Sequence, residues 1–184
     1  MSALDDNELR AKLQSIIDRD EIEQCLLRYC RGADRRDKEL MLSAYHPDAI
    51  DDHGVVVLRA EPFCEWAIED ESVYKLVHHV VTNMSIELDG DVAHSETYWL
   101  WVAMLQDENC ILAFGRYIDR FERRDGRWGI AARRCLTEVM STAPRAEVPE
   151  EFKRALASNL PKAWDRTDPS YLRPFNVDRP LTSS

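Results

Sequence analysis

Two side chains far apart in the chain are of the types that together move protons. Asp34 closes the run Tyr29-Cys30-Arg31-Gly32-Ala33-Asp34. His79 sits inside Leu76-Val77-His78-His79-Val80-Val81-Thr82-Asn83, an apolar stretch of strand character. A carboxylate that reaches an imidazole holds one ring nitrogen and leaves the other free to act as a general base. The plainer expectations are that His79 is a satisfied core residue and that Asp34 is a helix-end residue. Arg133 alternates with Arg134, so one of the two faces inward. An inward Arg133 can stabilise negative charge developing in an apolar pocket, or it can pair with Glu96 or Asp119. His78 points opposite to His79. His53 follows Asp51 and Asp52, but adjacent strand residues face opposite ways and no second His stands at ligand spacing, so no metal site is predicted.

The elements that must position these groups are readable from periodicity. Ile22, Leu26, Tyr29, Cys30 and Ala33 recur at helical spacing and predict a helix from about Asp20 to Arg35. A helical lead-in over 5–17 places Leu9, Leu13, Ile16 and Ile17 on one face. Asp34 then projects near the apolar side, where a charge is costly unless a partner waits. Gly32 weakens the last turn and lets Asp34 swing inward. Asp37 is the expected N-cap of a short helix, Lys38 to Tyr45, that Pro47 terminates. A short strand, Val55 to Leu58, and a third helix, Glu61 to Glu69, follow, with Pro62 in its first turn.

From about Tyr74 the period changes to that of strands, over 75–88, 92–105, 110–124 and 127–140. Asp89-Gly90-Asp91 and Asp125-Gly126-Arg127 are hairpin turns, and Gln106 to Asn109 supplies the third. Short turns between consecutive strands predict an antiparallel meander. Both of its faces are expected to be covered, one by helices and the other by a second subunit. The layout is α+β, with one domain over 1–142 and a tail over 143–184. In the tail, Pro149 to Leu160 fits a helix and Pro161 to Ser184 an extended arm.

Composition narrows the function classes. The chain has 184 residues, 45% hydrophobic and 32% charged, with a formal net charge of −10. That balance opposes binding to nucleic acid or an anionic membrane, and the arginines of 116–134 are interleaved with Asp119, Glu122 and Asp125. Five cysteines without CxxC spacing predict neither a disulfide framework nor a structural zinc site. No signal peptide or membrane span is legible, so a cytoplasmic location is expected.

The string Gly115-Arg116-Tyr117-Ile118-Asp119-Arg120-Phe121-Glu122-Arg123-Arg124-Asp125-Gly126-Arg127-Trp128 resembles the SnoaL-like, nuclear transport factor 2-like group. Ala44-Tyr45-His46-Pro47-Asp48-Ala49-Ile50-Asp51-Asp52-His53-Gly54 fits it as well. The resemblance covers roughly residues 12 to 142 and implies a cone-like α+β barrel of cystatin-like type, with N-terminal helices packed on a strongly curved antiparallel sheet. Within the group the chain is similar to cofactor-free lyases: scytalone dehydratase, bile-acid 7α-dehydratase and hexachlorocyclohexane dehydrochlorinase. Asp34 and His79 match their Asp at the end of the first helix and their His on the first long strand. Tyr29 matches a catalytic Tyr of the bile-acid enzyme, and Arg133 an active-site Arg of the dehydrochlorinase. His53 and Tyr117 fall near a Tyr and an Asn of scytalone dehydratase, whereas Ala33 stands where that enzyme has a Tyr.

The resemblance implies a dehydratase-type lyase without cofactor or metal, acting on a hydrophobic cyclic or aromatic molecule. His79, Asp34, Tyr29 and Arg133 would carry the chemistry, while His53, Tyr117, Trp101 and Tyr45 would line the substrate pocket. Trp99 and Trp101 share a strand face and suit either an aromatic pocket or an interface. A homodimer or homotrimer is expected. The alternatives are a non-catalytic ligand-binding protein and a structural β-type subunit of a ring-hydroxylating dioxygenase.

Overall fold

A computed structural model describes residues 5–157 and 163–177. Its order is α1 (Asp6–Asp34), α2 (Lys38–Leu42), β1 (Tyr45–Asp52), β2 (Val57–Arg59), α3 (Ala60–Glu71), β3 (Leu76–Asp89), β4 (Val92–Met104), β5 (Cys110–Arg124), β6 (Arg127–Ala143) and α4 (Glu150–Ala157). A 3-10 turn follows at Pro169–Tyr171.

The expected lead-in and first helix are one continuous helix. Asp5 starts it: its carboxylate accepts from the Asn7 and Glu8 amides while Glu8 reaches back to the Asp5 amide, a reciprocal cap. Ile22, Leu26, Tyr29, Cys30 and Ala33 are buried as their spacing predicts, whereas Leu9, Leu13, Ile16 and Ile17 are exposed. Gly32 has a different role from a weakened turn. A Cβ there would lie 2.4 Å from the Met41 amide nitrogen, so glycine is what lets α2 cross the end of α1.

β3 to β6 form the expected meander, in the sheet order β2-β1-β6-β5-β4-β3. The Asp125-Gly126 turn has positive φ at both residues, 51° and 76°, as its sequence requires. Two expectations are corrected. The short helix stops at Leu42, and Pro47 lies inside β1 rather than ending a helix. β1 pairs in parallel with β6, so the sheet is mixed, and its register breaks between Tyr45 and Ile50, where Pro47 has no N–H to offer. Bulges at Thr82/Met84, Phe114/Gly115 and Arg120/Phe121 bend the long strands.

The core lies between α1, α3 and the concave sheet face, with Phe63, Tyr117, Phe121, Trp128 and Ile130 at its centre. Asp18 ties α1 into it by accepting from the Trp128 indole at 3.0 Å and from Arg123 at 2.8 Å. All five cysteines are free.

The tail helix spans Glu150–Ala157, and its expected continuation to Leu160 lies outside the described residues. Of the expected arm, 163–177 is described; it folds back over the end of α1 as a strap. Arg166 grips Asp37 at 3.0 and 2.8 Å, Tyr171 donates to Asp37 at 3.0 Å, and Arg31 donates to the Ser170 carbonyl at 3.2 Å. Asp168 accepts from the Ser170 and Ala163 amides and stands 3.6 Å from Arg35.

Candidate active site

Because α1 ends at Asp34 and β3 passes beside that end, the carboxylate meets His79 directly. Asp34 Oδ1 accepts the main-chain N–H of His79 at 3.0 Å and lies 2.8 Å from its ring Nδ1. A carboxylate can only accept, so Nδ1 carries the hydrogen and Nε2 is the nitrogen free to take a proton. Strand alternation turns the buried His79 ring inward and leaves His78 half exposed, its ring 6.1 Å from Trp164 of the strap.

Nε2 of His79 faces a cavity of about 140 Å³. Trp66, Trp99, Trp101, Tyr117 and Met140 provide its apolar wall, and Tyr29, His53, Asp70, Glu71 and Thr137 join His79 among its polar members. Gly115 makes room for that wall: a Cβ there would meet the Trp99 ring at 2.5 Å. Trp99 stacks on Tyr117 with ring centres 5.7 Å apart. The Trp99 and Trp101 side chains are therefore pocket residues of this chain.

Of the eight residues singled out in the sequence, His79, Tyr29, His53, Tyr117 and Trp101 line this cavity, and Asp34 acts on it through His79. Tyr29 stands edge-on to His79 with ring centres 6.0 Å apart. Burial pushes the Tyr29 and Tyr117 phenols well above the usual value, so both are neutral hydrogen-bonding groups.

Arg133 and Tyr45 sit elsewhere. Arg133 does not reach the cavity; it pairs through Nε and Nη2 with buried Asp119 at 2.7 and 2.9 Å. Its guanidinium lies over the Tyr117 and Tyr29 rings, 4.0 and 4.3 Å from their centres, and it is these rings, not Arg133, that line the cavity. The ion pair to Asp119 is the one of the two expectations for Arg133 that the geometry displays. Tyr45 is buried and donates to Asp51 Oδ2 at 2.6 Å, while Asp51 Oδ1 holds His53 Nδ1 at 2.9 Å. Tyr45 therefore positions a second imidazole instead of touching the cavity.

Glu71 is the functional candidate that the sequence reading passes over. It is the last residue of α3, 8% exposed, with Oε1 3.7 Å from His79 Nε2. The signal was present: Phe63, Ala67 and Glu71 are four residues apart, so the buried face of the helix continues one turn beyond Ala67, two residues past Glu69. Among the described residues, no three His, Cys, Asp or Glu side chains are placed to hold a metal ion, and no helix is long and apolar enough to cross a membrane.

The family profile of the SnoaL-like domain matches residues 14–134, more than half of the chain. No curated protein matches it in sequence. Solved structures share the fold. A Mycobacterium tuberculosis protein of unknown function is 26% identical, covering 68% of this chain and 74% of its own, with a TM-score of 0.62. A hexachlorocyclohexane dehydrochlorinase from Novosphingobium barchaimii is 19% identical, covering 75% and 99%, with a TM-score of 0.68. A candidate scytalone dehydratase from Novosphingobium aromaticivorans is 15% identical, covering 73% and 91%, with a TM-score of 0.63.

Proposed function

The chain belongs to the SnoaL-like domain family, and on that premise we propose that it is a cofactor-independent lyase of the dehydratase type acting on a small cyclic or aromatic molecule. The observation that carries this reading is the His79 imidazole, fixed by Asp34 on one nitrogen and open to an aromatic-walled cavity on the other. His79 Nε2 removes a proton next to a carbonyl or phenol, and Asp34 holds the imidazolium that results. Tyr29, a neutral phenol on the cavity wall, hydrogen-bonds the substrate oxygen on which charge develops. Arg133 serves at a distance by fixing the rings of Tyr29 and Tyr117.

The cavity size speaks to the substrate. A cavity of roughly 150 Å³ with an apolar lining takes a benzene ring, and the present one measures about 140 Å³. A single ring bearing one or two oxygens matches that space and the polar groups around it. The non-catalytic ligand-binding and dioxygenase-subunit readings leave the coupled carboxylate and imidazole without a task.

The test is a screen of monocyclic β-hydroxy ketones and related cyclic alcohols for loss of water, followed by the absorbance of the conjugated product. Turnover that His79→Ala abolishes, with folding and ligand binding retained, supports the lyase. Ligand binding without turnover moves the assignment to a binding protein.

We propose in addition that the protein self-associates through the convex sheet face, where Val80, Tyr98, Phe114 and Ile118 are exposed. Sedimentation velocity of the protein and of Phe114→Lys tests this: a dimer or trimer should become a monomer, and a monomeric parent refutes it.

A further inference from the structure

One buried ionisable group in the cavity has no task in the mechanism above. Glu71 Oε1 stands 3.7 Å from His79 Nε2, the nitrogen that Asp34 leaves free, and Glu71 Oε2 has no hydrogen-bond partner. Both groups line the same cavity. We propose that Glu71 is the general acid of this site, protonating the leaving oxygen on the same face of the substrate from which His79 takes a proton. The proposal rests on the lyase reading and adds to it the identity of the acid and the stereochemistry, a syn elimination.

The surroundings of Glu71 favour its protonated form. Burial pushes the Glu71 carboxyl above its ordinary value, His79 pulls it back, and the charge of Asp34 adds to the upward push. Burial and the nearby Asp34 charge thus favour a carboxyl that keeps its proton, the form a general acid needs before it gives that proton up.

The spacing carries the stereochemical part. Catalytic groups that flank a ring with a water between them stand roughly 6.5–9.5 Å apart, as in inverting glycosidases. Glu71 and His79 are 3.7 Å apart, too close for a ring to lie between them, so they address one face. A hydrogen and a hydroxyl leaving from that face of neighbouring carbons are near enough to meet both.

The step balances without a further reactant. His79 Nε2 takes the proton from carbon, the C–H electron pair becomes the new C=C bond, and the C–O bond breaks. The Glu71 proton passes to the departing oxygen, which leaves as water. An imidazolium and a carboxylate now face each other, and return of the proton from Nε2 to Oε1 restores both. Nε2 and Oε1 stand 3.7 Å apart, so a small side-chain movement or one bridging water completes that return.

The test uses 3-hydroxycyclohexanone and 3-acetoxycyclohexanone. Hydroxide needs protonation to leave; acetate does not. Glu71→Gln should slow elimination of the hydroxy compound by about 10²–10⁴-fold and that of the acetoxy compound by less than about tenfold. His79→Ala should abolish both. Equal losses of the two substrates in Glu71→Gln overturn the assignment of Glu71 while leaving the lyase intact. Absence of turnover of either substrate by the unaltered protein counts against the lyase reading itself. With hydroxy substrate deuterated on the neighbouring carbon, the label cis to the hydroxyl should be lost, and loss of the trans label refutes the syn pairing. Infrared spectroscopy supplies a check independent of substrate. At neutral pH a carboxylic-acid carbonyl band should be present in the parent and absent from Glu71→Gln; its absence from both overturns the proposal.

Discussion

Asp34 spends one carboxylate oxygen on His79 twice: Oδ1 accepts both the main-chain N–H, at 3.0 Å, and the ring Nδ1, at 2.8 Å. The first contact fixes the strand against the helix end, and the second fixes the ring on that strand. Position and tautomer of the base are thus set by a single atom. Asp34→Asn can keep an oxygen there but loses its charge, and we expect a rate loss of about 10²–10⁴-fold with little change in stability. Asp34→Ala removes the acceptor for both donors and should cost about 1–3 kcal/mol more. Steady-state kinetics beside urea denaturation check the pair; equal stability of the two variants would refute the tethering role.

Glu71 should make stability depend on pH with a defined sign. Burial raises its carboxyl above 4.5 in the folded chain, so just above that value the native state holds a proton that the unfolded chain has released. Stability from this group therefore falls as pH rises from about 4.5 through the raised value. Glu71→Gln removes the titration, and its advantage over the parent should grow from pH 4.5 towards neutrality. Thermal melts of both proteins across that range measure the difference, and a constant difference would count against a raised carboxyl.

The Arg133–Asp119 pair is fully buried and bidentate. Arg133→Leu leaves the Asp119 charge without its partner and should cost about 3–5 kcal/mol. Replacing both residues by Leu removes that stranded charge, so the double variant should be more stable than Arg133→Leu alone. Chemical denaturation of the three proteins closes the cycle; a double variant less stable than the single one would refute the account.

The strap should release in acid. Burial raises the Asp168 carboxyl, but the Ser170 and Ala163 hydrogen bonds and Arg35 outweigh it and hold the group at about 2, against an ordinary value of 3.8. A depressed carboxylate stabilises the docked strap above pH 3.8, and that contribution is lost as pH falls through about 2. Hydrogen exchange over 163–172 should therefore quicken in that interval, and Asp168→Asn should show fast exchange at neutral pH. Unchanged exchange in the variant would show that Asp37 and Arg166 hold the strap by themselves.

Much of this arrangement was legible in the chain, for reasons specific to its elements. The four long strands carry apolar residues on both faces and are separated by Gly-containing or polar turns, which sets their bounds to within three residues although their alternation is blurred. Asp34 was legible because a charge on the apolar side of a helix demands a partner. β1 was not, because Pro47 reads locally as a helix stop, while its strand forms by pairing with β6, whose residues lie some eighty positions away. Strand alternation gives the side on which Arg133 lies but not how closely Tyr29 and Tyr117 pack over it. Glu71 is missed by a helix that ends at Glu69, because the buried face through Phe63 and Ala67 runs two residues farther.

The wall of the cavity has an optical consequence. Three of the five tryptophans, Trp66, Trp99 and Trp101, line it, and two others, Trp128 and Trp164, lie away from it. A ring that enters the cavity must stack against indoles that emit light on ultraviolet excitation, so occupancy is written into the intrinsic fluorescence of the protein. Ligands can be ranked by quenching alone, with no label and before any reaction is known.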